Sequence, residues 1–108
     1  MRTLLMAAAA LALCGSAYAG GNAANGKAIS AKVCAACHGL EGAKPIAPEN
    51  PILAGQYSDY IVKALSDYKS GKRANPVMKA FADPLKKKEI EDLAAWFSIQ
   101  KSSLHFQR

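Results

Sequence analysis

Residues 34–38 read Cys34-Ala35-Ala36-Cys37-His38. This pentapeptide restricts the chain more than any other feature. A disulfide across so short a loop would staple almost nothing, because the entropic gain grows with loop length. A thioredoxin-like redox pair needs a strand before it and a βαβ context, and no β-rich segment precedes Cys34. A closed zinc site needs four ligands. Cys34, Cys37 and His38 offer three, two of them adjacent and hard to fit on one tetrahedron. The remaining reading is C-x-x-C-H, the attachment sequence for covalent haem c. Its logic is chemical. Each thiol adds to a haem vinyl group as a thioether, and the next residue brings an imidazole beneath the ring as a proximal iron ligand.

The segment before the motif supports export. Arg2 supplies a positive start, Leu4 to Leu13 is an unbroken apolar run, and Ala17-Tyr18-Ala19 is an A-x-A cleavage site. Residues 1–19 therefore read as a cleaved secretory signal peptide, and 20–108 as one domain. An uncleaved anchor competes, but the run is short for a membrane span. Lipidation at Cys14 also competes, but Leu13 is larger than the residue usually found before such a cysteine. Without the leader, 40 of 89 residues are apolar, ordinary for a globular domain. So small a domain has limited core, and a covalently held porphyrin would supply a large apolar centre.

Removal of Arg2 leaves 13 basic and 8 acidic residues, a formal charge of +5. The basic residues are spread among acids and are not interleaved with exposed aromatics. That pattern argues against nucleic acid and suits acidic protein partners.

The second iron ligand must come from elsewhere. After cleavage the chain keeps one methionine, Met78, and one further histidine, His105. Met78 follows Lys72-Arg73-Ala74-Asn75-Pro76-Val77, read as a loop that could lay a thioether against the ring. His105 lies in a polar tail. The axial ligands should therefore be His38 and Met78.

The fold class is all-α. A first helix is predicted from about Ala23 to Ala35, capped by Asn22. A long loop follows from Gly39 to about Gly55, broken by Pro45, Pro48 and Pro51. Tyr57, Tyr60, Ile61, Ala64, Leu65 and Tyr68 form one apolar helical stripe, with Gly71 as the stop. The three tyrosines are read as core. A last helix is predicted from about Leu85 to Ser98, with Ile90, Leu93, Ala94 and Phe97 on one face. Lys86, Lys87 and Lys88 stand in its first turn, against the helix dipole.

In this order, several segments resemble a known family: Cys34-Ala35-Ala36-Cys37-His38-Gly39, Pro51-Ile52-Leu53-Ala54-Gly55-Gln56, Tyr60, Tyr68-Lys69-Ser70-Gly71-Lys72-Arg73, Met78, and Ile90-Glu91-Asp92-Leu93-Ala94-Ala95-Trp96-Phe97. Residues 20–108 resemble a short bacterial class I cytochrome c of the cytochrome c-553 kind, and also one half of a di-haem cytochrome c. The resemblance implies a small cytochrome c fold of helices and loops around one covalent haem c. It implies thioethers at Cys34 and Cys37, with His38 and Met78 on the iron. It implies that a loop proline carbonyl accepts a hydrogen bond from His38. Pro51 matches best, with Pro45 and Pro48 as competitors. It also implies that Gly26 meets Leu93 and Trp96 where the first and last helices cross. Two features depart from the pattern. Lys86 replaces a usual Ser or Thr, and the tail from Leu104 to Arg108 runs past the usual end.

The function implied is periplasmic transfer of single electrons between redox proteins, not enzymatic catalysis. The partners would be acidic-faced, membrane-bound oxidases or reductases, met by a soluble monomer. The competing readings are a five-coordinate haem protein that binds small gases or peroxide, and a relay subunit of a larger redox complex.

Overall fold

A computed structural model describes residues 20–102. The expected leader at 1–19 with Cys14, and His105 in the C-terminal tail, lie outside the described residues. Among the described residues all regular structure is helical, in the order α1 (Ala23–Val33), α2 (Ala35–His38), α3 (Ser58–Ser70), α4 (Pro76–Ala82) and α5 (Lys87–Ser98). The all-α expectation holds.

Helix α1 begins as expected. The Asn22 side chain accepts a hydrogen bond from the Asn25 N–H at 3.0 Å, satisfying one of the four donors a helix start leaves open. The predicted single helix to Ala35 is instead two. Cys34 caps α1 and starts the one-turn α2. Helix α3 matches its stripe only in part. Ile61 is buried, but Tyr57 and Tyr60 are half-exposed, at 49% and 50%. Tyr57 stands outside the first turn with extended backbone, and the Tyr60 hydroxyl faces Arg73 at the surface. Gly71 ends the helix with φ +86, a conformation that glycine adopts without a Cβ clash.

Helix α5 begins two residues later than predicted, at Lys87. Lys86 is its N-cap. The Lys86 N–H donates to the Glu89 carboxylate at 2.9 Å. An ammonium has no acceptor to return the bond, so only half of a capping box forms. Ile90, Leu93, Ala94 and Phe97 are buried as expected and form the core with Ile61 and Leu85.

The core is built where α5 packs against α1 on one side and α3 on the other. The crossing with α1 is close. A Cβ on Gly26 would lie 1.9 Å from the Asp92 carbonyl oxygen and 2.8 Å from the Trp96 Cβ. The expected contact with Trp96 is present, and the Asp92 backbone makes the nearest approach. Positions four apart share a helix face, so Asp92 and Trp96 point the same way while Leu93 turns into the core.

The loop between α2 and α3 has no regular structure but is pinned throughout. The Leu53 N–H donates to the Gly42 carbonyl at 2.8 Å, and the Gly55 N–H to the Phe97 carbonyl at 2.9 Å. The Ser30 hydroxyl and the Trp96 indole N–H both reach the Leu40 carbonyl at 2.8 Å. These bonds tie the loop to α1 and α5 and so fix the backbone that faces His38.

Candidate haem site

Cys34, Cys37 and His38 come together through one turn of helix. The Cys34 carbonyl accepts from the Cys37 N–H at 3.3 Å and the His38 N–H at 3.0 Å. Residues at i, i+3 and i+4 share a helix face, so the two thiols and the imidazole project to one side. Gly39 then lets the chain turn away at φ +82.

Cys34 and Cys37 are not joined in a disulfide. Burial pushes the Cys34 thiol up to about 11, so it remains protonated through the neutral range. His38 is buried at 6% exposure. Its Nδ1 lies 3.0 Å from the Pro51 carbonyl oxygen. A carbonyl only accepts, so Nδ1 carries a proton, and in the neutral imidazole the Nε2 lone pair is the one open to a metal. Of the three candidate prolines, Pro51 is the partner. The Cys37 carbonyl is held as well, by the Ile46 N–H at 3.1 Å and the Asn50 side-chain amide at 3.2 Å.

Met78 stands on a different element and corrects the sequence reading. It lies in the first turn of α4, not on a loop. The Asn75 carboxamide oxygen accepts from the Val77 and Met78 N–H groups, both at 3.1 Å, and Pro76 occupies the first turn. Asn-Pro is a recognisable helix start, and that signal was available in the sequence. Met78 is half-buried, while Val77 and Phe81 on the same helix are exposed.

Two cysteines and an imidazole on one helical face form a donor set that suits covalent haem and not a closed metal site, while the Met78 thioether stands on a separate helix. Among the described residues, no group of three or more His, Cys, Asp or Glu side chains could hold a bare metal ion. Residues 23–99 match the family model described as Cytochrome c.

This chain belongs to the cytochrome c family. The family's cofactor is haem c, and Cys34 and Cys37 stand in its attachment pattern. The chain is 45% identical over 94 residues to cytochrome c4 of Pseudomonas aeruginosa, covering 87% of this chain and 46% of that protein. It is 38% identical over 71 residues to cytochrome c-553 of Helicobacter pylori, covering 66% of this chain and 74% of that protein. The crystal structure of reduced recombinant cytochrome c4 from Pseudomonas stutzeri aligns with a TM-score of 0.70 at 39% identity, over 78% of this chain and 48% of that one. The chain thus spans about half the length of the cytochrome c4 relatives it matches. Both halves of the resemblance, to cytochrome c-553 and to half of a longer cytochrome, are borne out.

One buried polar cluster escaped the sequence reading. Asp92 on α5 is 2% exposed. It accepts from the Asn22 N–H, the Asn25 side-chain amide and the Lys88 ammonium, each at 2.6 Å. Burial alone would raise its pKa. The bonds from Lys88, Asn25 and Asn22, with the Lys88 charge, outweigh that and hold the carboxyl below the usual range. Lys88 thus has a local role that offsets its poor fit to the helix dipole. Only the i,i+4 pair of Lys88 and Asp92 shows in the sequence, and no spacing joins Asp92 to Asn22 and Asn25, 70 and 67 residues away.

Proposed function

We propose that this chain is a periplasmic single-electron carrier, with thioethers at Cys34 and Cys37 and with His38 and Met78 as the axial iron ligands. The observation that carries the reading is the 3.0 Å bond from His38 Nδ1 to Pro51. It orients the ring, directs the Nε2 lone pair away from the loop and raises the basicity of that nitrogen. When bound, the haem supplies a one-electron iron couple, and methionine–histidine ligation raises its potential.

The protein's part is to hold the donors still. The Cys34 carbonyl closes the α2 turn around both cysteines, and the bonds from Ile46 and Asn50 lock the Cys37 peptide. The Asn75 cap and Pro76 start the helix that carries Met78. Ligation by both His38 and Met78 would leave no open iron position for a substrate, which supports a carrier and not an enzyme. The leader pattern at 1–19 supports export and release from the membrane after cleavage. Among the described residues no helix is long and apolar enough to cross a membrane. The exposed Lys72, Arg73, Lys79, Lys86, Lys87 and Lys88 favour acidic faces on membrane-bound redox partners.

The test is a spectrum of the purified holoprotein in both redox states with and without carbon monoxide. Unchanged ferrous bands are expected. A shifted band would reveal an open iron position and a gas- or peroxide-binding protein.

A further inference from the structure

We propose that Lys79 is a positioning residue for Met78, fixing the rotation of α4 by tethering it to the end of α3. The proposal rests on the reading of Met78 as an iron ligand.

Helix α4 has seven residues, too few to hold an orientation by its own backbone bonds. Its direction must come from outside. The Lys79 ammonium donates to the Lys69 carbonyl at 2.9 Å. That carbonyl lies in the last turn of α3, where carbonyls lack partners within the helix and the dipole favours a cation. The Lys69 ammonium in turn donates to the Leu85 carbonyl, just before α5. Lys69 is therefore a hub that joins α4 through its backbone and the approach to α5 through its side chain.

Consecutive residues in an α-helix are about 100° apart around the axis. Fixing Lys79 against α3 therefore fixes the direction of Met78, its immediate neighbour. The Asn75 cap holds the helix start but leaves its rotation open. Asp83 lies 2.9 Å from the Lys79 ammonium and half-exposed at 49%. It sits at the end of α4 itself, so this pair steers the lysine stem without linking α4 to anything else. Such exposed i,i+4 pairs contribute little. The bond that crosses between elements is the one to Lys69.

The test is imidazole binding to the ferric holoprotein, which requires the thioether to leave the iron, together with the methionine-to-iron charge-transfer band. Lys79→Ala is expected to bind imidazole roughly five- to tenfold more tightly, the scale of one ordinary net hydrogen bond at an exposed site, with a weakened band. Lys79→Arg, which keeps the cation and the donor, should restore both readouts. Lys63→Ala removes a positive charge elsewhere on α3 and should change neither, which separates tethering from net charge. If Lys79→Ala does not fold, Lys79→Gln, with shorter reach and no charge, should tighten binding about twofold. Wild-type imidazole affinity in the folded variant overturns the tether, as does an equal effect in Lys63→Ala. Met78→Ala separates the two levels. If it binds imidazole like wild type, the ligand assignment falls and the tether with it. If it opens the iron while the Lys79 variants stay silent, the tether alone falls.

Discussion

Gly26 and Asp92 meet backbone to backbone, so closely that a Cβ on the glycine would lie 1.9 Å from the Asp92 carbonyl oxygen. This contact sets how near α1 can come to α5. Helix α1 ends in Cys34, so the same contact sets where the haem-attaching turn begins.

Gly26→Ala is expected to destabilise the holoprotein. Alanine would gain about 1 kcal/mol of helix propensity. The clash is with backbone that cannot rotate aside, and overpacking of this kind costs roughly 1–3 kcal/mol or more. The clash outweighs the propensity gain, and the helices separate. Thermal melting should show a drop of several degrees, about 4–8 °C per kcal/mol for a domain of this size. An unchanged or raised midpoint would show that the crossing relaxes freely.

Asp92 makes stability depend on acid. Its folded pKa lies below the ordinary value, so the unfolded chain binds the proton more readily. The contribution is fully present above the unfolded value of about 3.9 and is lost as pH falls through the lower folded value. Asp92→Asn should lose about 2 kcal/mol at neutral pH, the scale of hydrogen bonds to a charged group. It should also lose less than wild type between pH 5 and pH 3. Denaturant melts at several pH values check both, and parallel curves for the two proteins would remove the carboxylate from the acid response.

Docking should be salt-dependent, with Lys72 as the better probe than Lys79. Lys79 is engaged by Asp83 and the Lys69 carbonyl, and Arg73 stacks on the Tyr68 ring at 4.8 Å. Two haem propionates would reduce the mature charge to about +3, leaving a basic excess to steer encounter by roughly 10–10³-fold at low salt. Electron-transfer rates with an acidic redox partner should fall as ionic strength rises, and Lys72→Glu should flatten that slope. Rates indifferent to both salt and the substitution would refute steering.

Processing and attachment are read by intact mass. The mature protein is expected to start at Gly20 and carry one haem that survives denaturation. Cys34→Ser with Cys37→Ser should release the haem in denaturant. A mass that retains residues 1–19 would instead point to an uncleaved leader.

The chemistry of the attachment turn was legible in the sequence because it is local. Cys34, Cys37 and His38 need only helical spacing to share a face. Likewise, Asn22 caps its own helix, Gly71 ends α3, and Ile90, Leu93, Ala94 and Phe97 reach the core by period alone. Interactions between distant segments were decided by the tertiary structure. Three prolines could serve His38, and only the pinned path of residues 39–55 brings the Pro51 carbonyl to Nδ1. The half-exposure of Tyr57 and Tyr60 depended on where α3 starts and on what packs beside it. Met78 was legible as a candidate donor, but its helix was hidden behind a proline read as a loop signal. What holds that helix, the Lys79 bond to Lys69, links residues whose proximity exists only once α4 has packed on α3. Asp92 is the clearest case. Nothing in a polar residue on a helix stripe announces burial, and it is tolerated there because Asn22 and Asn25 arrive from 70 and 67 residues away to satisfy its oxygens.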